Sequence, residues 1–258
     1  WLNYANDHED GNGQFEQNFK YADALTTADR VITLRYLLSM LAAERGMIAT
    51  FMPKPFADRT GSGLHLHLSL TSGGAPVFPS DDDGRGLGLS ETAYAFIGGI
   101  LEHACALQAV VAPTVNSYKR TRATITASGA SWSPNTPSYG GNDRTHYIRV
   151  PDDQRVELRG GDGSANPYLA IAAALGAGID GIKRSTDPGD VGSQGRSALP
   201  PTLLHAVDEF EGDPVIRGVL DAAGEGVASY FASIKRDEFF AYHSAVTSWE
   251  LDHYLTAF

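Results

Sequence analysis

The sequence holds one cysteine, Cys105, in 258 residues. A single thiol excludes an internal disulfide and a cysteine-rich zinc site, and it fits a reducing compartment. Long apolar runs are missing too: none approaches the roughly twenty residues that a membrane-spanning helix needs. Positive charge is scarce, with 20 Lys and Arg against 31 Asp and Glu, a formal net charge of -11. That balance argues against a general nucleic-acid surface, so any phosphate-bearing ligand needs a local cationic pocket. Neither a G-x-S-x-G nucleophile elbow nor a phosphate-cradling G-x-x-x-x-G-K-[ST] loop occurs. The chain opens at Trp1 without an initiator methionine or a signal-like segment, and we expect part of a longer cytoplasmic protein.

What is present is enough apolar sequence, 42%, to bury one large domain or two smaller ones. Val31, Leu34, Leu38 and Leu41 recur at helical spacing, predicting a helix over 27–45 capped by Thr27 and stopped by Gly46. "MIATFM" reads as a strand ending at "PKP", and 63–70 as another. A second helix is expected from Glu91 to Val110, followed by a Ser/Thr/Gly/Asn-rich stretch, 121–143, that no hydrophobic period organises. "HYIRV" and "RVELR" read as short strands. Asn166 and Pro167 open a further helix, the last seventy residues read as mostly helical, and 187–201 as an exposed loop. Strands and helices without regular βαβ alternation predict an α+β architecture.

Three segments carry candidate chemistry. In "GSGLHLHLSL" (61–70), His65, His67 and Ser69 share one strand face while Leu64, Leu66, Leu68 and Leu70 share the other. The polar face suits either an exposed surface or a metal or phosphate site. A cupin-type site would want a glutamate a few residues on, and the next one is Glu91. In "RVELRGGDG", Arg155, Glu157 and Arg159 alternate with Val156 and Leu158. That face is either a solvated salt-bridge ladder or, with Arg120, Arg144 and Arg149 near in sequence, an anion pocket. In "HEDGNGQFEQNF", Glu9 can fold back across a glycine-rich kink toward Glu16, and paired carboxylates suit Mg²⁺ or Mn²⁺. "GAGIDG" (176–181) matches a dinucleotide glycine pattern but sits at the end of a predicted helix, so helix packing or a helix stop accounts for it better.

Taken in order, "GQFE", "FMPKP" with "GSGLHLHLSL", "NSYKR", the paired arginines, "RVELR" and "ANPYL" resemble the catalytic region of the glutamine synthetase family. "LTTADR", "APTVNSYKR" and "WELDHYLTAF" look most like the branch that includes γ-glutamylmethylamide synthetases. The resemblance spans nearly the whole chain, so 1–258 reads as one catalytic domain lacking an upstream part. It implies a curved antiparallel sheet with surrounding helices, of the type shared with guanido kinases, assembled into homo-oligomeric rings. It also implies a ligase that uses ATP to phosphorylate the γ-carboxylate of L-glutamate before ammonia or a small amine displaces phosphate.

By motif, Glu9 and Glu16 would hold one Mg²⁺ or Mn²⁺, and His65 with Glu157 a second. His67, Ser69, Arg144, Arg149 and Arg155 would face ATP. Gly61, Arg120 and Arg159 would bind glutamate, and Arg120 and Arg144 would serve in catalysis. Three departures stand out. Further acidic metal ligands of the family lie upstream of Trp1. Residues 121–142 contain no acidic residue where ammonia-using members carry a flap glutamate, and Thr126 stands near that position. The asparagine expected before "GSG" is Thr60. The loop 187–201 also lacks the tyrosine that some bacterial members adenylylate. Two other readings are a catalytically silent ring-forming relative and a guanidino kinase, whose reactive thiol would have to be Cys105, a residue expected in the core.

Overall fold

The computed structural model describes residues 1–121, 126, 133–193 and 198–258. It opens with a hairpin of β1 (Asn3–His8) and β2 (Phe15–Phe19), then a helix, α1 (Ala24–Ala43). After β3 (Leu66–Leu68) comes a two-residue hairpin pair, β4 (Thr71–Ser72) and β5 (Ala75–Pro76). Helices α2 (Glu91–Glu102), α3 (Ala104–Val111) and α4 (Ser117–Thr121) precede β6 (Tyr139–Gly140), β7 (Ile148–Asp152) and β8 (Arg155–Leu158). The rest is helical: α5 (Pro167–Arg184), α6 (Leu203–Gly212), α7 (Pro214–Asp221), α8 (Val227–His243) and α9 (Ser248–Tyr254).

The central sheet runs β3-β8-β7-β6, antiparallel except for the β6–β7 pair, which is parallel. Its register sorts two rows of side chains. Leu66, Leu158, Ile148 and Tyr139 line up across the four strands and are all buried. His67, Glu157 and Arg149 line up on the opposite face. Directly paired residues point to the same side of a sheet, so the alternation seen in the sequence becomes an apolar floor beneath a charged row. Helix α2 packs against α5 at very short range. A Cβ added at Gly99 would lie 2.2 Å from the carbonyl oxygen of Ala177, and one at Gly181 would lie 2.2 Å from that of Ala95. "GAGIDG" is therefore helix packing.

Several predicted elements differ. Helix α1 starts three residues before Thr27 because Asp23, not Thr27, accepts the Thr26 backbone N–H at 2.9 Å. Val31 is buried on it, but Leu41 is exposed. "MIATFM" forms no strand, and Ile48 is 92% exposed. The expected strand 63–70 narrows to three paired residues, with Gly63 bridging Asp162 separately. The expected helix from Glu91 to Val110 bends by 74° at His103, where Asp213 and Asp180 lie 2.6 and 3.1 Å from its two ring nitrogens. Within the stretch that no hydrophobic period organises, Tyr139 and Gly140 form β6. Leu199, placed in an exposed loop, is buried and donates its N–H to Asn135, and 194–197 of that loop lie outside the described residues. Asn166 caps α5 as expected, accepting from Tyr168 and Leu169. Among the described residues no single helix is long and apolar enough to cross a membrane.

Candidate active site

Glu157 is the centre of the charged row. It is 2% exposed, yet its two oxygens are surrounded: Oε1 accepts from Arg159 Nη1 at 2.8 Å and lies 3.0 Å from His65 Nδ1, while Oε2 lies 2.5 Å from Arg149 Nε. Burial alone would raise its pKa, but the hydrogen bond and charge of His65 and the charge of Arg159 outweigh it and hold the carboxyl at about 2. Arg159 is equally buried. The solvated-ladder reading of "RVELR" therefore fails for Glu157 and Arg159. Arg155 alone matches it, exposed and paired with Asp152 at 3.0 Å.

An ionised carboxylate only accepts, so the imidazole nitrogen facing Glu157 must carry the proton. Burial, with the charges of Arg159 and Arg120 adding to it, lowers the pKa of His65 against the opposing pull of Glu157. The ring is thus neutral near pH 7, Nδ1–H donating to Glu157 and the Nε2 lone pair left for another partner. Glycine is needed at 63 because a Cβ there would come 2.9 Å from Nε2.

The β1–β2 hairpin brings the second acidic pair. Asp7 and His8 pair with Glu16 and Phe15, and Glu9 turns back with its N–H on the Gln14 carbonyl at 2.9 Å. Glu9 and Glu16 share a hydrogen bond. Burial and then that bond raise the Glu9 pKa. Burial acts the same way on Glu16, but hydrogen bonds from Asn18 and Glu9 and the charges of His65 and Arg144 bring it below the usual range. Opposite shifts in two neighbouring carboxyls are what like charges impose at close range. His65 lies close enough to Glu16 for its charge, when the ring is protonated in acid, to act on that carboxyl, and it bonds Glu157, which ties the two acidic segments into one neighbourhood.

The remaining candidates fall around this core. Arg120 is buried and donates to the carbonyls of Gly160 and Arg159 at 3.4 and 3.2 Å. Gly61 lies against it: a Cβ there would come 2.7 Å from both Arg120 Cγ and the Pro53 carbonyl oxygen. The Arg144 carbonyl accepts from Arg159 Nε at 3.2 Å, and its guanidinium charge acts on Glu9 and Glu16. His67 stands beside Glu157 with its side chain 41% exposed, within reach of the Arg155 charge. Ser69 is exposed beyond the end of β3. The flap positions 122–125 and 127–132 lie outside the described residues, and Thr126 is buried.

Four supporting residues escaped the sequence reading. Lys54, buried, donates to the Arg59 carbonyl, and Asn116 clasps its backbone with an N–H accepted at 2.7 Å and a carbonyl bonded at 3.0 Å. Asp162 is fully buried near Arg120 and Arg35, with Oδ1 accepting from Ser164 and Oδ2 without a hydrogen bond. Gln14 joins the hairpin to the glycine segment. "FMPKP", "NSYKR" and "RGGDG" are legible as motifs, but only folding brings Lys54 and Asn116 together. Cys105, expected in the core, is half-buried on a cleft of about 420 Å³ with Glu102, Asp208 and Pro214. None of the residues gathered at the sheet lines that cleft.

The family model described as "Glutamine synthetase, catalytic domain" matches residues 4–254. The chain is 44% identical to a glutamine synthetase of Rhizobium leguminosarum bv. phaseoli over 98% of its own length and 60% of the relative's. It is 41% identical to a glutamate–methylamine ligase of Methyloversatilis universalis, covering 99% of the chain and 60% of that protein. A solved GmaS/ADP complex, conformation 1, superposes with a TM-score of 0.90 at 50% identity, over 99% of this chain and 60% of that one. The chain thus spans about 60% of the length of these relatives.

Proposed function

The chain belongs to the glutamine synthetase family, and from that premise we propose that 1–258 forms the catalytic domain of an ATP-dependent ligase joining ammonia or a small amine to L-glutamate. The observation that carries this reading is the row His67–Glu157–Arg149 with His65 and Arg159 closing on the same carboxylate. Two anionic reactants must meet, and phosphoryl transfer is promoted mainly by positioning and charge.

The donor set suits hard divalent cations. Glu9 and Glu16 lie within hydrogen-bonding reach of each other, and a cation between them would relieve their like-charge repulsion. His65 keeps Nε2 available, and Oε2 of buried Glu157 has no hydrogen bond despite the nearby Arg149. Among the described residues no three such side chains form a ready cage, so Glu9 with Glu16 and His65 with Glu157 would each hold one Mg²⁺ or Mn²⁺ and share it with further ligands. Bound there, the ions would offset negative charge where the glutamate carboxylate and nucleotide phosphates converge.

Arg120 and Arg159 orient glutamate, with Gly61 letting the backbone come close. Arg144, Arg149 and Arg155, with His67 and Ser69, take the nucleotide side. A γ-carboxylate oxygen attacks the γ-phosphorus of ATP, the bond to ADP breaks, and the product is γ-glutamyl phosphate. The amine nitrogen then adds to the acyl carbon, phosphate leaves, and the nitrogen loses a proton. Arg120 and Arg144 hold the charged groups in place through both steps. A homo-oligomeric ring is the assembly that fits the family.

A second reading narrows the nucleophile to an organic amine. It is favoured by the lack of any acidic residue in 121–142, since a carboxylate near the acyl carbon would attract ammonium and take its proton. Phosphate release from the complete polypeptide with glutamate, ATP and a panel of amines tests both. Release stimulated by no amine refutes the ligase. Sub-millimolar saturation by ammonia alone refutes the organic-amine reading. A silent relative would show no Mg²⁺- or Mn²⁺-dependent nucleotide binding.

A further inference from the structure

We propose that Gln14 is a positioning residue that locks the acidic hairpin to the glycine segment leading into β3, so that the Glu9/Glu16 pair and the Gly61–His65 segment move as one body. This deepens the ligase reading and rests on it.

The Gln14 side chain makes three hydrogen bonds with one amide. Its Oε1 accepts the Gly11 N–H at 3.0 Å, and its Nε2 donates to the Gly61 carbonyl and to Ser62 Oγ, both at 3.1 Å. The orientation is unambiguous, because Gly11 N–H can only donate and Gly61 carbonyl can only accept. Within the hairpin, the Gln14 backbone closes the turn on both sides, receiving Glu9 N–H and donating to the Gly11 carbonyl. The amide therefore spans the hairpin turn between Glu9 and Glu16 and the segment whose next residues are Gly63 and His65.

Two further contacts run along the same seam. Thr60 Oγ1 donates to Asp10 Oδ2, and Arg59 Nη1 donates to Asn12 Oδ1 at 3.2 Å. Both are exposed, whereas Gln14 is half-buried, so its bonds face less competition from water. The Gly61 carbonyl is fixed from outside by Gln14 while its Cα lies against Arg120. A hairpin free to slide would carry Glu9 and Glu16 away from His65 and loosen the glutamate side of the pocket together with the metal side.

The test uses Gln14→Glu, Gln14→Ala and Ser62→Ala in the complete protein. Glutamate at 14 keeps the acceptor for Gly11 but turns the donor into an acceptor facing the Gly61 carbonyl, so it breaks the tie while sparing the turn. Hydrogen–deuterium exchange of peptides covering 9–18 and 58–66 is read without substrates, alongside kcat, the glutamate KM and half-saturation by Mn²⁺. Gln14→Glu is expected to speed exchange in 58–66 but not at the turn, and Gln14→Ala to speed both. Glutamate KM and Mn²⁺ half-saturation should rise together, by up to about tenfold for the loss of one to two hydrogen bonds, with a smaller rise in Ser62→Ala and kcat changed least. Unchanged exchange in 58–66 for Gln14→Glu overturns the proposal, as does a rise in only one of the two constants. If wild-type protein releases no phosphate with any amine, the ligase reading falls, while the exchange data still decide whether the tie exists.

Discussion

Glu157 and Arg149 sit directly opposite each other on neighbouring strands, with Oε2 and Nε 2.5 Å apart on the charged face of the sheet. The same carboxylate also serves Arg159 and His65. Removing it would leave two guanidiniums without a counter-charge, and breaking a buried pair in this way costs about 3–5 kcal/mol. Glu157→Ala should therefore lower the denaturant midpoint severely. Glu157→Gln, which keeps an acceptor for Arg159, should cost less while abolishing metal-dependent nucleotide binding. A loss below about 1 kcal/mol for the alanine variant, a surface-pair value, would contradict the burial.

A pH signature belongs to His103 at the bend between α2 and α3. Burial lowers its pKa, but the hydrogen bonds and charges of Asp213 and Asp180 win, and the net shift is upward from 6.5. Its stabilisation is therefore full below 6.5 and is lost as pH rises through the elevated folded value. Asp213 and Asp180 are lowered, so their share holds above the ordinary carboxylate range and fades as pH falls through the depressed values. His103→Gln should destabilise most near pH 5–6, between the reference carboxylate and histidine values, and least near pH 9. Urea unfolding across that range checks it, and a pH-independent difference would refute it.

Helix propensity and packing make opposite predictions at two glycines. Gly99→Ala should destabilise by about 1–3 kcal/mol or more, because the methyl would overlap the α5 backbone. Gly218→Ala, with open space around its would-be Cβ in the middle of α7, should gain up to about 1 kcal/mol. Thermal unfolding of the two variants separates the effects by sign.

Arg120 reaches two backbone carbonyls from a fixed planar head, a geometry lysine does not reproduce. Arg120→Lys should keep the fold but raise the glutamate KM about 10- to 100-fold, the size of a lost hydrogen bond to a charged group. Steady-state phosphate release over a glutamate series measures it. An unchanged KM would remove Arg120 from the glutamate site.

Much of this arrangement was legible before folding where the signal is local. The period-two pattern of Leu66 and Leu68 against His65 and His67 named the buried and polar faces of β3 correctly, and Asn166–Pro167 marked the start of α5. Legibility failed where a distant partner decided the outcome. The period of α2 continues through His103, but two aspartates from α5 and the α7 cap hold a bend there. "MIATFM" has strand composition, but among the described residues it pairs with no strand to form a ladder. Gln14 reads as one polar residue in a turn, and its hydrogen bonds to 61 and 62 span 47 and 48 positions.

By itself the sequence determined which residue types lie on which face of each short element, because side-chain alternation is a property of the local backbone. It also determined the family, because an ordered set of motifs needs no coordinates. Only the tertiary structure decided that Glu157 is buried among arginines instead of lying in a solvated ladder, that Glu9 and Glu16 come together near His65, and that Lys54 is held by Asn116. Those outcomes depend on electrostatics between segments far apart in sequence, whose strength is set by distance and by the exclusion of water.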